Sequence, residues 1–316
     1  MTLGALSFTE ACALALAAAH TPDVSEADLR ASIAATDGSF AASGASQSQA
    51  RQALDDALVG SRPSHGLKIL LATGALTTLI PPLARTVALS QESGRRHKDV
   101  WEHTLAVIDG VRPELSLRMS ALLHDIGKPD TLRFSKEKGA TFHNHPAVGA
   151  NLAKAALREM RWDASRCDEV VWLVAHHLRP AEHSSAWSDS AVRRFVRECG
   201  DRAQLLIELS RADLTTRNPV KRARARDNAD SLEAKMRRVI ASDAAPRALV
   251  KGFGNWLAEE WALSGRDIGR VKEEIERRVE AGELPRLSDP LTYRDAVSET
   301  VERLRAERSA PEHCVC

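Results

Sequence analysis

Histidines and aspartates that could bind a metal ion are concentrated between residues 96 and 218. His103 lies three residues after one valine and four before another, so its imidazole shares an apolar helix face. His124 follows a leucine and an alanine at helical spacing, and Asp125 comes directly after it. A buried carboxylate beside a buried imidazole needs a strong partner, because an unpaired ion is costly in a protein interior. This pattern places three candidate ligands together.

Two further positions each offer a choice between neighbouring histidines. His145 precedes Pro146 at the predicted start of a helix, whereas His143 lies farther from that start. In the pair His176 and His177, the second shares the apolar stripe of its predicted helix, and the first sits a third of a turn away. We therefore expect His145 and His177 to be ligands and keep their neighbours as alternatives.

Asp213 places one more carboxylate on an apolar face, four residues after Leu209 in a helix predicted over 203–214. One such residue alone is typical of a core histidine or a salt bridge, but five predicted helices repeat the pattern. Imidazoles and carboxylates without thiolates suit divalent Mn, Fe, Mg, Zn or Co, and they do not distinguish these ions.

The candidate ligands allow one ion or two. A single ion would use His103, His124, Asp125 and Asp213. A second position would be completed by His145 and His177, with Asp125 placed to bridge the two ions. Two metal ions side by side are suited to displacement at phosphorus.

The elements that must position these residues are helices, because apolar residues recur at spacings of three and four and aromatic residues make up only 4% of the chain. We predict an all-α fold in which a central helical domain, 96–218, is flanked by helical segments at 1–95 and 219–316. Outside the central domain, helices are predicted near 7–19, from Ser25, through 51–58, 67–79, 220–241 and 266–281.

Composition limits the partners. The chain has 316 residues, with 44 basic and 43 acidic side chains, so no overall field attracts it to nucleic acid or a membrane. Five cysteines, with no paired spacing except that of Cys314 and Cys316, suggest a reducing compartment, and the apolar start is too short to span a bilayer. We therefore expect a cytoplasmic protein without membrane contact.

The ordered set of histidines and aspartates resembles the motif of the HD superfamily of metal-dependent phosphohydrolases, which runs H, HD, H, H, D. His103, His124-Asp125, His145, His177 and Asp213 match it in that order. The resemblance implies a helical domain in which bound metal activates water against a phosphate ester.

Several longer stretches resemble the C-terminal body of bacterial CCA-adding tRNA nucleotidyltransferases. They are residues 66–74, 97–103, 124–129, 142–149 and 211–217, with a weaker likeness from 265 to about 284. The first 95 residues contain no glycine-rich turn followed by alternating carboxylates, so the nucleotidyltransferase head is expected to be absent. The resemblance therefore does not imply nucleotide addition.

From these patterns we expect a phosphohydrolase that acts on a nucleotide or another small phosphate ester, either a phosphomonoester or a 2′,3′-cyclic phosphate. Asp125 and Lys128 are the candidate catalytic residues, with Arg133, Arg179 and Arg217 as weaker candidates for binding a substrate phosphate. The alternative is a body that binds tRNA or another RNA and has no nucleotidyltransferase activity. The basic residues from Arg217 to Arg226 favour it, although a solvated helix face explains them more simply, because no aromatic residues lie between them to stack on bases.

Overall fold

Two compact units make up the chain, residues 1–240 and residues 241–316. The computed structural model describes residues 6–40, 45–87, 89, 99–135, 139–182, 187–214, 219–244 and 248–309. The finer division of the sequence at residues 95 and 218 stays a prediction.

The first unit opens with six short helices, the first three of which each begin after a capping serine. They are α1 (Phe8–His20), α2 (Glu26–Thr36), α3 (Gln47–Leu58), α4 (Pro63–Ala72), α5 (Ala75–Leu79) and α6 (Pro81–Ala84). Ser25 caps α2 by accepting a hydrogen bond from the backbone N–H of Asp28, as predicted. The single helix predicted over 67–79 is wrong, because Gly74 adopts a positive φ of 85° and separates α4 from α5. Pro81 begins α6, a position that tolerates its missing N–H.

Eight helices continue this unit through the histidine-rich segment and beyond it. They are α7 (Val100–Gly110), α8 (Leu115–Leu123), α9 (Lys128–Thr131), α10 (His145–Glu159), α11 (Ala164–His176), α12 (Asp189–Cys199), α13 (Ala203–Ala212) and α14 (Pro219–Ala244). Leucine, isoleucine, valine and alanine from these helices and from the first six form one continuous core. The all-α prediction is confirmed.

A short β-hairpin interrupts the helices between α9 and α10. Strand β1 (Leu132–Ser135) pairs antiparallel with β2 (Gly139–Phe142), and Leu132 lies opposite Phe142. Phe134 lies opposite Ala140 in the same ladder. Because side chains alternate along a strand, Leu132, Phe134 and Phe142 share one face of the hairpin. The sequence patterns did not predict these strands.

A buried arginine ties the helix ends of the first unit together. Arg118 on α8 is 3% exposed, and its guanidinium donates to the backbone carbonyls of Leu58 and Gly60 at 2.8 and 2.6 Å. It also donates to those of Val111 and Arg112 at 3.0 and 3.2 Å. Carbonyls that would otherwise be unpaired at two chain turns are thereby satisfied.

The second unit contains α15 (Phe253–Trp261), α16 (Gly265–Glu280) and α17 (Arg294–Ser309) around its own apolar core. Tyr293 is fully buried there and donates its hydroxyl hydrogen to the carbonyl of Pro285. The last thirty residues looked only weakly periodic in sequence, yet Val297, Val301 and Leu304 form a buried stripe on α17. None of the described helices combines the length and apolarity of a membrane span.

Candidate metal centre

The six predicted ligands come together, and most of them sit at helix ends rather than in helix interiors. His124, His177 and Asp213 immediately follow the last residues of α8, α11 and α13, and His145 is the first residue of α10. Asp125 lies one residue farther on, in the turn between α8 and α9. Of the six, His103 is the one that lies in the interior of a helix, α7. Helix ends supply short, well-packed attachment points that can converge on one centre.

One donor group is formed by two imidazoles and two carboxylates. The Nε2 atoms of His103 and His124 lie 3.1 Å apart. Oδ2 of Asp125 lies 3.4 Å from the first and 3.2 Å from the second, and Oδ1 of Asp213 lies 3.0 and 3.7 Å from them. Ligand atoms bound about 2.1 Å from one ion at 90 to 110° lie about 3.0 to 3.4 Å apart. Four of the five spacings fall in this range, and the fifth, 3.7 Å between His124 and Asp213, is slightly longer. The donor group therefore fits the ligands of a single ion with a small movement of Asp213.

A second donor group adjoins the first through the same aspartate. Nε2 of His145 lies 3.2 Å from Nε2 of His177 and 3.3 Å from Oδ1 of Asp125. Asp125 therefore turns one carboxylate oxygen to each donor group. The edges of the His124 ring face both His103 and His177, with ring centroids 5.2 and 5.3 Å away. His103, His124 and Asp125 could hold one metal ion, and Asp125, His145 and His177 could hold another.

Backbone carbonyls orient three of the imidazoles. His124, His145 and His177 each place Nδ1 against the carbonyl three residues earlier, at 2.8, 2.9 and 2.8 Å. If Nδ1 carries the hydrogen and donates it there, the Nε2 lone pair is left for a ligand contact. The backbone carbonyls at these helix ends therefore hold the rings in position, with Nε2 facing the donor groups.

The buried Asp125 supports a metal at this position. Its side chain is 3% exposed, and Oδ2 accepts no well-directed hydrogen bond although nitrogens of His103, His124 and Lys128 lie 2.6 to 3.4 Å away. A buried carboxylate oxygen without a directed partner is costly unless an ion satisfies it. The donors present fit divalent metal binding without selecting an ion.

The charges in the centre are strongly coupled. Burial lowers the pKa of His124, but the carboxylates of Asp125 and Asp213 more than offset this and raise it to about 10. Burial and the positive charge of His124 lower the pKa of His177 to about 4, against the opposing carboxylates. Burial would raise the pKa values of Asp125 and Asp213, yet neighbouring imidazoles hold both well below their ordinary value. Both carboxylates are therefore ionised across the neutral range.

The neighbouring histidines lie outside both donor groups. His143 is exposed, whereas His145 is buried. The ring of His176 stacks on Trp172 with centroids 4.2 Å apart, and its Nδ1 contacts the Trp172 carbonyl at 2.8 Å. The structure therefore brings together the preferred residue of each pair, and the assignment of the six as ligands stays a proposal.

Lys128 adjoins the centre, as its position in the sequence suggested. Its Nζ lies 2.6 Å from Oδ2 of Asp125 and 5.4 Å from the centroid of the Phe142 ring. Phe142 was part of a recognised sequence stretch but had no predicted role. Its contact with Lys128 depends on the hairpin, which the sequence patterns did not predict.

The arginine candidates are placed less favourably. Arg133 lies on β1 next to Phe134, so strand alternation puts it on the hairpin face opposite Phe142. Arg179 donates to Glu198 at 2.5 Å, and its guanidinium lies over the Phe195 ring. Arg217 lies outside the described residues. Phosphate binding by these three stays a prediction.

Gly127, in the turn after His124 and Asp125, lies close to Gly149 and to the start of α10. A Cβ atom on Gly127 would lie 2.3 Å from the carbonyl oxygen of His145 and 2.6 Å from the backbone nitrogen of Gly149. Real Cβ atoms are not found so near to backbone atoms. Glycine at 127 therefore allows the turn that carries His124 and Asp125 to pack directly on the helix that begins with His145.

Comparison with known proteins gives the same location for the domain. Residues 99–235 match the model of the HD domain. The chain is 37% identical over 169 residues to the CC-adding tRNA nucleotidyltransferase of Thermus thermophilus, which covers 51% of this chain and 37% of that protein. It is 31% identical over 253 residues to the A-adding tRNA nucleotidyltransferase of Deinococcus radiodurans, covering 76% of this chain and 55% of that one.

A more distant relative is a bifunctional uridylyltransferase/uridylyl-removing enzyme of Cereibacter sphaeroides, 27% identical over 189 residues, or 52% of this chain and 18% of that protein. The chain thus spans about half or less of the length of these relatives. The resemblance found in the sequence is confirmed, and residues 99–235 are the HD domain of a chain related to tRNA nucleotidyltransferases.

Proposed function

We propose that this chain is a metal-dependent phosphohydrolase that releases phosphate from a nucleotide or opens its 2′,3′-cyclic phosphate. The HD domain suggests the superfamily, and the six ligands, the number of ions and the substrate class belong to the proposal. The observation that carries it is the carboxylate of Asp125, which is buried and turns one oxygen to each of two imidazole groups.

This geometry suits two ions better than one. Oδ2 of Asp125 would join His103, His124 and Asp213, and Oδ1 would join His145 and His177. When bound, a pair of divalent ions activates water and offsets negative charge at a phosphate ester. The protein would supply orientation, since carbonyls fix three imidazole rings and the surrounding core limits their movement.

Lys128 is proposed to hold the phosphate group of the substrate. Its Nζ already lies 2.6 Å from the shared carboxylate, so an ester held by ions at the donor groups would come within its reach. The Phe142 ring beneath the ammonium favours a cation at this position. Positioning of a charged group near the reacting phosphate favours charge development at the transition state.

A nucleotide substrate is favoured by the relatives. Two of them are named as tRNA nucleotidyltransferases, enzymes whose substrates by name are nucleotides and tRNA. The proposal for this chain is limited to hydrolysis of a phosphate ester of a nucleotide.

Metal analysis with matched histidine variants tests the site. The purified protein, loaded with Mn²⁺ and desalted, is expected to retain two ions per chain, and His177→Ala is expected to lower this to one or fewer. His176→Ala and His143→Ala change the adjacent histidines and are expected to retain two. Equal losses in His177→Ala and His176→Ala would contradict the assignment.

Phosphate release from nucleoside mono-, di- and triphosphates and 2′,3′-cyclic phosphates tests the reaction. At least one is expected to be hydrolysed in a metal-dependent way, and Asp125→Asn is expected to lower turnover by at least about 1,000-fold. Turnover that is unchanged in Asp125→Asn would overturn the proposal. If no ester is hydrolysed while tRNA binds with a steep salt dependence, the chain is an RNA-binding body instead.

A further inference from the structure

One aromatic side chain is exposed near the centre. The chain has six phenylalanines, six tryptophans and one tyrosine. Among the described residues, Phe134 is 66% exposed, whereas every other Phe, Trp or Tyr is buried or partly buried. Leaving a phenylalanine ring in water forgoes the burial energy that the other aromatic residues gain. An interaction outside the folded chain would give this ring a partner.

The hairpin connects that ring to the centre through a short series of contacts. Phe134 and Phe142 lie on the same face of the hairpin, since their partners in the ladder are Ala140 and Leu132. The Phe142 ring lies under Nζ of Lys128 at 5.4 Å, and that Nζ is 2.6 Å from Asp125. The face bearing Phe134 therefore continues from the surface toward the shared carboxylate.

The spacing along this face suits a nucleotide. Along a strand, side chains on the same face recur every two residues, about 6.6 Å apart. Phe134 therefore lies one such step beyond the pair formed by Leu132 and Phe142. A phosphate held near Lys128 would therefore leave the attached nucleoside extending along the hairpin. Flat aromatic rings stack on bases of any sequence.

We infer that Phe134 stacks on the nucleobase of the substrate whose phosphate lies at the donor groups. This inference rests on the proposed function and deepens it, because it makes the substrate a base-bearing ester rather than any small phosphate. It assigns binding of the base to the hairpin and binding of the phosphate to Lys128 and the centre. Stacking without directed hydrogen bonds gives little discrimination between bases.

Kinetics with and without a base test this inference. For the nucleotide that is hydrolysed, Phe134→Ala is expected to raise KM about tenfold with kcat nearly unchanged. An ester of the same type without a base, ribose 5-phosphate or glycerol 1,2-cyclic phosphate, is expected to show the same KM in both proteins. Phe134→Tyr is expected to keep the low KM of the unchanged protein, whereas Phe134→Leu is expected to raise it.

Ser135→Ala is the control on the same strand, because residue 135 lies on the opposite face from Phe134, and its KM values are expected to match those of the unchanged protein. A change in KM that is equal for esters with and without a base would overturn the inference while leaving the hydrolase proposal intact. If Phe134→Ala lowers the mass measured by analytical ultracentrifugation and leaves KM unchanged, the ring is a contact between copies of the chain and the inference is wrong. Absence of turnover with every ester would overturn the proposed function, and this inference with it.

Discussion

Lys128 places a positive charge 2.6 Å from the carboxylate that the two donor groups share. Its side chain is 12% exposed, so solvent reaches it only at the edge of the centre. That position allows two roles. The ammonium could balance the charge of Asp125, or it could bind the phosphate of a substrate, and the two roles have different consequences when the charge is removed.

Lys128→Met separates the two roles. If the ammonium binds substrate, ion content stays the same while kcat/KM falls roughly 100-fold, because a charge-assisted contact to the reacting phosphate is lost. Metal analysis and initial rates, measured on the same preparation, give both quantities. A fall in ion content with unchanged activity per bound ion would show that Lys128 acts on Asp125 rather than on the ester.

At the scale of elements, most of the candidate ligands lie at helix ends, and Gly127 allows two of these ends to pack closely. The turn that carries His124 and Asp125 packs against the start of α10 because Gly127 has no Cβ that would clash with the carbonyl of His145. Within the first unit, Arg118 performs a related task by binding four carbonyls at two turns. Both features hold backbone segments that precede or follow ligands.

Gly127→Ala should disturb the centre through the backbone. The new Cβ must displace the start of α10, so His145 moves away from Asp125, and ion retention is expected to fall from two toward one with a stability loss of roughly 1 to 3 kcal/mol. Gly269→Ala on α16 is the control, since a Cβ there meets no atom within 4 Å. It should leave ion content unchanged and be neutral or slightly stabilising. Full ion retention in Gly127→Ala would contradict this account.

Arg118→Met should lower the free energy of unfolding of the first unit by about 3 kcal/mol, because three buried carbonyls and the partly buried carbonyl of Arg112 lose their donor. Arg112→Met is the comparison. Its guanidinium is 46% exposed and pairs with Glu114 and Glu208 at the surface, so its loss is expected to cost less than about 1 kcal/mol. Urea unfolding of both variants measures the difference, and equal costs would argue against the carbonyl contacts.

At the scale of the whole molecule, stability should depend on pH through Asp55. Burial raises its pKa to about 6, although the Trp162 indole N–H donates to it and Arg51 is nearby. The folded chain therefore keeps a proton that the unfolded chain releases between pH 4 and 6. The free energy of unfolding falls as the pH rises through this window and stays lower above it.

Asp55→Asn should remove this loss, because the amide is neutral and its oxygen can still accept from Trp162. At pH 7.5 the variant is expected to be more stable than the unchanged protein by roughly 1 kcal/mol, allowing for solvent screening, with no difference at pH 4. Asp56→Asn, which removes a charge from the next residue, controls for general electrostatic effects. A stability difference that does not vary with pH would contradict the assignment.

Sequence patterns predicted the all-α fold and several of its helices, and they distinguished the two histidines of each pair, because both depend on local spacing. His177 was separated from His176 by its place on an apolar stripe, and the structure places it in a donor group. The hairpin was not predicted, since its strands have four residues each and lack a clear alternation. The positions of Phe134 and Phe142 relative to Lys128 were therefore not predicted. The bond between Trp162 and Asp55 joins residues 107 apart, which no local pattern can indicate.

The single carboxylate between the two donor groups has a consequence for how metal would be taken up. An ion held by His103, His124 and Asp125 would fix the orientation of the Asp125 carboxylate, and its other oxygen would then face His145 and His177. Uptake should then be cooperative, with a titration steeper than that of two independent sites, and partly loaded chains should be scarce. Such a chain would respond to metal supply as a switch, because activity would appear over a narrow range of free ion concentration.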